Sequence, residues 1–120
     1  AGDVPTYMTS EGFDPEPNAN IDLDGVLFPD MPWMLQEQGP IADARNATQA
    51  AWVDKGPRLP RLFAFGYDGA PLMLALRSPG WQWPLLGVTG RLNPDAQGRI
   101  HRDLEWAQIR KGKPQTVAAP

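Results

Sequence analysis

The 120-residue chain has no cysteine and one histidine, His101. Disulfides, thiolate metal sites and cysteine nucleophiles are therefore excluded, while the redox compartment stays open, because cysteine-free chains occur in cytoplasm and periplasm alike. A single histidine has no second one to complete a zinc site or a Ser-His-carboxylate triad. No apolar run approaches the roughly 20 residues that a bilayer-spanning helix needs. Ala1-Gly-Asp-Val-Pro5 has neither the basic head nor the apolar stretch of a secretory signal, so export or lipid signals of a parent protein are expected to have been removed. Basic residues are missing from one stretch. Residues 1–44 hold nine acidic side chains and no Lys or Arg, whereas 45–120 hold all eleven basic residues against five acidic ones. Either the two stretches lie against each other or against further segments, or one of them is a charged docking surface. An acidic overall balance and the lack of a dense Lys/Arg run argue against nucleic acid as a partner.

What is present reads as a folded domain. Hydrophobic residues make up 42% of the chain and include five tryptophans, enough for one compact domain (1–120) with a modest core. Val4–Thr9 has strand character, Ser10–Asn20 is rich in turn formers, and Gly25–Phe28 is a continuous apolar run suited to a strand covered on both faces, ended by Pro29 and Pro32. Apolar residues at helical spacing predict a helix over Ile41–Val53 with a stop at Lys55-Gly-Pro57, and a second from Pro60 to Arg77. Pro71 inside the second predicts a kink or a break, since it removes one hydrogen bond and crowds the carbonyl of Tyr67. Thereafter the pattern predicts a strand over Leu86–Leu92, a turn at Asn93–Gly98, a strand with Ile100, Leu104 and Trp106 on one face, a turn at Lys111–Lys113 and an edge strand over Pro114–Val117. The class is α/β, a mixed sheet flanked by helices with a C-terminal hairpin.

Most chemical motifs dissolve on inspection. His101-Arg-Asp-Leu104 matches the opening of a kinase catalytic loop, but Gln108 stands where the metal-binding Asn belongs and there is no Gly-rich loop. Asn20-Ile-Asp-Leu-Asp-Gly25 resembles half of a calcium loop, but Met31 stands where the bidentate Glu belongs. Asn46-Ala-Thr48 fits a glycosylation sequon inside a predicted helix. A carboxylate pair such as Asp30 with Asp68 would be the minimum for a glycosidase, though sequence gives no distance between them. Four residues remain as candidates for binding a ligand or partner: Asp30 and Trp33, just after a buried-type strand, and the pair Tyr67-Asp68. Their bland alternatives are a tryptophan packed on a helix and an aspartate that braces backbone. Trp81 and Trp83 flank turn formers and form an exposed aromatic patch or cover the core edge.

Three strings, Asp30-Met-Pro-Trp-Met-Leu35, Phe63-Ala-Phe-Gly-Tyr-Asp-Gly-Ala-Pro-Leu72 and Gly87–Ile100, followed by Leu104-Glu-Trp-Ala-Gln-Ile-Arg110, resemble the C-terminal region of the LppC/LpoA family, outer-membrane lipoproteins that activate a peptidoglycan synthase. The resemblance implies part of a type I periplasmic-binding fold, one lobe, with Tyr67-Asp68 opening a helix near the interlobe cleft. It further implies a non-enzymatic module without cofactor or metal, a class A penicillin-binding protein as partner, and a place on the periplasmic side of the outer membrane through a lipid anchor absent from this chain. A solute-binding module for a small polar ligand is the alternative within the same fold. A lone lobe is also expected to self-associate through apolar surface.

Overall fold

A computed structural model describes residues 4–16, 18–52 and 59–120. The elements are β1 (Leu27–Asp30), α1 (Pro32–Leu35), α2 (Pro40–Ala51), α3 (Pro60–Arg77), β2 (Leu85–Gly87), β3 (Gly90–Pro94), β4 (Ile100–Asp103), β5 (Glu105–Arg110) and β6 (Lys113–Val117). They form two compact units, one from Ala1–Asp30 with Glu105–Pro120 and one from Met31–Leu104.

In the first unit, β1, β5 and β6 form an antiparallel sheet in that order. Burial alternates with the period of a strand: Phe28 and Asp30 are buried on β1, Ala107 and Ile109 on β5. Phe13 stacks on Phe28 with ring centroids 5.1 Å apart, and Tyr7 meets Trp106 edge-on. The strand expected over Val4–Thr9 is reduced to a parallel bridge between Tyr7 and Leu27, which makes this sheet mixed. Leu27 donates its N–H to the Thr6 carbonyl and accepts from the Met8 N–H. Two residues on, Pro29 sits on the same outer side, where its missing N–H disturbs no ladder, so β1 runs through Pro29 to Asp30 and does not end at it. The β5–β6 turn carries Lys111 and Gly112 at φ 52° and 77°, the positive pair that a two-residue hairpin loop requires. Two residues of the calcium-like string are committed to backbone: the Asn20 amide bonds Asp14 at both ends, and Asp24 accepts the Lys111 N–H at 2.6 Å. Among the described residues no cluster of three His, Asp or Glu could hold a metal ion.

In the second unit, β2, β3 and β4 form a separate antiparallel sheet. The core draws on Trp33, Met34 and Leu35 of α1, Ala42 of α2, Ala64 and Ala75 of α3, and Val88 and Leu92 of the hairpin. α2 matches its predicted span closely; its expected stop at Lys55–Pro57 lies outside the described residues. α3 matches at both ends, with Pro60 in the first turn. It is not broken at Pro71. Buried Asp68 and Ala75 hold the helix from both sides of that residue, so packing outweighs one lost hydrogen bond. The strand expected over Leu86–Leu92 is two strands folded back at Val88-Thr89, and the strand expected through Ile100–Trp106 divides at Leu104, its halves entering different sheets. Trp81 is 41% exposed, Trp83 half-buried, and their rings lie 6.4 Å apart.

The β3–β4 connection turns on one carboxylate. Asp95 Oδ1 accepts the N–H groups of Gln97 and Arg99, and Oδ2 contacts Arg99 Nε and His101 Nε2, each at 2.8 Å. These bonds, that of His101 foremost, hold the Asp95 carboxyl well below its ordinary value of 3.8. A carboxyl depressed in the folded state adds stability above its unfolded pKa and loses it as the pH falls. Asp95→Asn is therefore expected to flatten the fall in urea midpoint below about pH 4. Parallel acid limbs in variant and parent would contradict this.

Candidate functional site

The sequence-derived candidates separate. Trp33, Tyr67 and Asp68 come together in the second unit, whereas Asp30 belongs to the first, buried in β1 directly across from Glu105 of β5. Trp33 sits in the single turn of α1, begun by Pro32 at a position that needs no N–H partner. Its backbone N–H donates to the Val88 carbonyl at 2.9 Å, and Arg45 Nη1 on α2 donates to the carbonyls of Trp33 and Gln36, closing the C-terminal end of α1. The indole is 1% exposed and lies against the Tyr67 ring at 5.5 Å, while its N–H has no hydrogen-bond partner among the described residues. Trp33 is thus a packing residue first. Tyr67 keeps about half its surface open, 48%.

Asp68 is the centre of this corner. It points from the buried stripe of α3 to the β2–β3 turn, where Oδ1 accepts the Val88 N–H at 2.9 Å and Oδ2 accepts both the Thr89 N–H at 2.9 Å and the Thr89 hydroxyl at 2.5 Å. Neither Val88 nor Thr89 adopts positive φ, so this two-residue loop is not of the usual primed kind. The carboxylate accepts the N–H groups of both loop residues, which would otherwise be buried without a partner. Close approach is allowed because Gly87 has no side chain: a Cβ there would overlap the Asp68 carboxylate. Asp68 therefore braces a hairpin against a helix, and its acceptors face inward.

Arg102, on β4, extends the chain of bonds. Its Nε donates to Thr89 Oγ1 at 3.0 Å, and its Cζ lies 4.2 Å above the centre of the Phe65 ring on α3. Burial pushes the guanidinium pKa down and the neighbouring Asp68 carboxylate pushes it back up, leaving it charged at neutral pH. Sequence reasoning missed Arg45, Phe65, Thr89 and Arg102. Gly87-Val-Thr-Gly90, two glycines around two residues, was the local signal of the hairpin; Phe65 and Arg102, distant in sequence, carried none.

The family model for the LppC putative lipoprotein matches residues 1–112. The chain belongs to the LppC family. Among LppC relatives, the penicillin-binding protein activator LpoA of Photobacterium profundum is 29% identical over 84% of this chain and 16% of its own length. The Vibrio vulnificus activator LpoA is 33% identical over 72% of the chain and 14% of its own length. This LppC chain thus spans about a sixth of the curated relatives it matches. Among solved structures it is similar to the LpoA (YraM) C-domain of Haemophilus influenzae, a regulator of PBP1A, at TM-score 0.69 and 27% identity, covering 93% of this chain and 36% of that one. A putative branched-chain amino acid ABC transporter from Rhodospirillum rubrum, at TM-score 0.68 and 19% identity, covers 97% of this chain and 38% of its own and shares the fold. The expected partial periplasmic-binding-like α/β architecture is thereby established, and it is that of the LpoA C-domain.

Proposed function

We propose that this LppC chain is a non-enzymatic module of an envelope lipoprotein that stimulates a class A penicillin-binding protein by direct contact from the periplasmic face of the outer membrane. The observation that carries this reading is the likeness to the H. influenzae C-domain over 93% of the chain, together with the family match. No helix among the described residues is long and apolar enough to cross a membrane. The small-ligand alternative draws less support. Trp33 is buried, and the Asp68 carboxylate is engaged by three internal donors, which leaves it little capacity for a solute.

The test is retention of the 120-residue chain on immobilised class A penicillin-binding proteins of the source organism, with stimulation of glycan polymerisation as the second readout. Retention with stimulation is the expected result. Failure of both, for this chain and for its full-length parent, would overturn the proposal.

A further inference from the structure

The chain contains a single Asp-Pro bond, Asp14-Pro15. Such a bond is open to attack from within: the side-chain carboxylate can close a five-membered ring on its own carbonyl carbon, and the tertiary amide nitrogen of proline leaves as a secondary amine. The rate depends on what surrounds the carbonyl. Asp14, Pro15 and Glu16 are exposed, so water and acid reach the bond. The residues that flank this stretch are fixed, Phe13 at 6% exposure against Phe28 and Asn20 at 2%.

Asn20 holds Asp14 in an orientation that the backbone dictates. The Asp14 N–H can only donate, and Asn20 Oδ1 accepts it at 3.2 Å, so the other amide atom, Nδ2, is the one that donates to the Asp14 carbonyl oxygen, at 2.6 Å. That oxygen belongs to the Asp14-Pro15 bond itself. A short N–H bond from a buried amide lies where negative charge gathers when the carbonyl carbon is attacked. The Glu16 N–H donates to Asp14 Oδ1 at 2.9 Å, which curls the carboxylate back across Pro15 and beside the same bond. Nucleophile and oxyanion donor meet at one peptide bond.

We propose that Asp14-Pro15 is a self-cleavage site, cut by the Asp14 carboxylate with Asn20 Nδ2 as the oxyanion donor. A carboxylate oxygen bonds to the Asp14 carbonyl carbon, and the carbonyl electron pair moves onto the oxygen that Asn20 holds. That pair then returns, the bond to the Pro15 nitrogen breaks, and the nitrogen takes a proton from solvent, leaving a cyclic anhydride on Asp14. Water opens the anhydride. Asp14 ends with two carboxylates and Pro15 with an amine, and one water is consumed in all. Because the leaving nitrogen must be protonated, the cut speeds up as the pH falls below neutrality. The nicked chain stays assembled, since Phe13 remains stacked on Phe28 and Tyr7 against Trp106.

The test is incubation of the whole chain in mildly acidic buffer with protease inhibitors, followed by mass spectrometry under denaturing conditions. Fragments 1–14 and 15–120 are expected, formed about tenfold faster in the folded chain than in the same chain held unfolded in urea. Asn20→Asp keeps an acceptor for the Asp14 N–H and removes the donor, so its folded rate should drop to the rate in urea. Asp14→Asn, whose amide is a poor nucleophile, should stop the cut. Absence of the two fragments, equal rates in the folded and unfolded chain, or an unchanged rate in Asn20→Asp would each overturn the proposal. A rate that rises with chain concentration would assign the cut to a second molecule and overturn it as well.

Discussion

Asp68→Ala is expected to cost the second unit about 3 kcal/mol or more, because three buried donors lose one acceptor at once. The N–H groups of Val88 and Thr89 and the Thr89 hydroxyl all end on this carboxylate. The loss is larger than that of an ordinary hydrogen bond because what remains is buried and unpaired, and because Arg102 loses a nearby negative charge. Asp68→Asn should lose somewhat less, since one amide oxygen still accepts while its nitrogen opposes a donor. Urea unfolding followed by tryptophan fluorescence measures both. Changes under about 1 kcal/mol in Asp68→Ala would show that the brace carries little of the stability.

Gly90→Ala is expected to be nearly as damaging, about 2–4 kcal/mol. Gly90 adopts φ 132°, which side chains rarely do, and its missing Cβ would run into the backbone carbonyl of Asp103 on the neighbouring strand. A backbone oxygen in a paired strand cannot step aside as a flexible side chain can. Gly98→Ala provides the comparison, for Gly98 also has positive φ but open space around it. Its cost should be conformational alone, about 1–2 kcal/mol. If the two substitutions cost the same in thermal unfolding, the close approach of β3 and β4 contributes nothing of its own.

These two residues also mark where sequence reasoning succeeds and where it stops. The ends of α3 were legible because Pro60 suits a first turn and the apolar spacing persists to Arg77, both local facts. The fold at Val88-Thr89 had only its two flanking glycines as a local signal, because that turn is satisfied by Asp68 on a helix about twenty residues earlier and not by positive φ in the loop. A break at Pro71, one of the two outcomes expected there, is absent for a related reason: the local penalty takes no account of the packing on either side of it. Among the four candidate residues, Trp33 and Tyr67 do meet, yet nothing in the string Asp30–Leu35 announces that Asp30 and Trp33 fall into different units. Division of a strand at one residue, Leu104, leaves no compositional trace.

The order of manufacture adds a consequence. All residues of the second unit, α1 to β4, have been made once Leu104 is joined, but β1, which precedes them, waits for β5 and β6, which follow them. While the ribosome adds the intervening length, the apolar edge of β1 around Leu27 and Phe28 has only the short Thr6–Met8 segment beside it. A newly made chain therefore carries this strand unmatched while the whole of Met31–Leu104 is added, and β5 and β6 are the elements that retire that hazard.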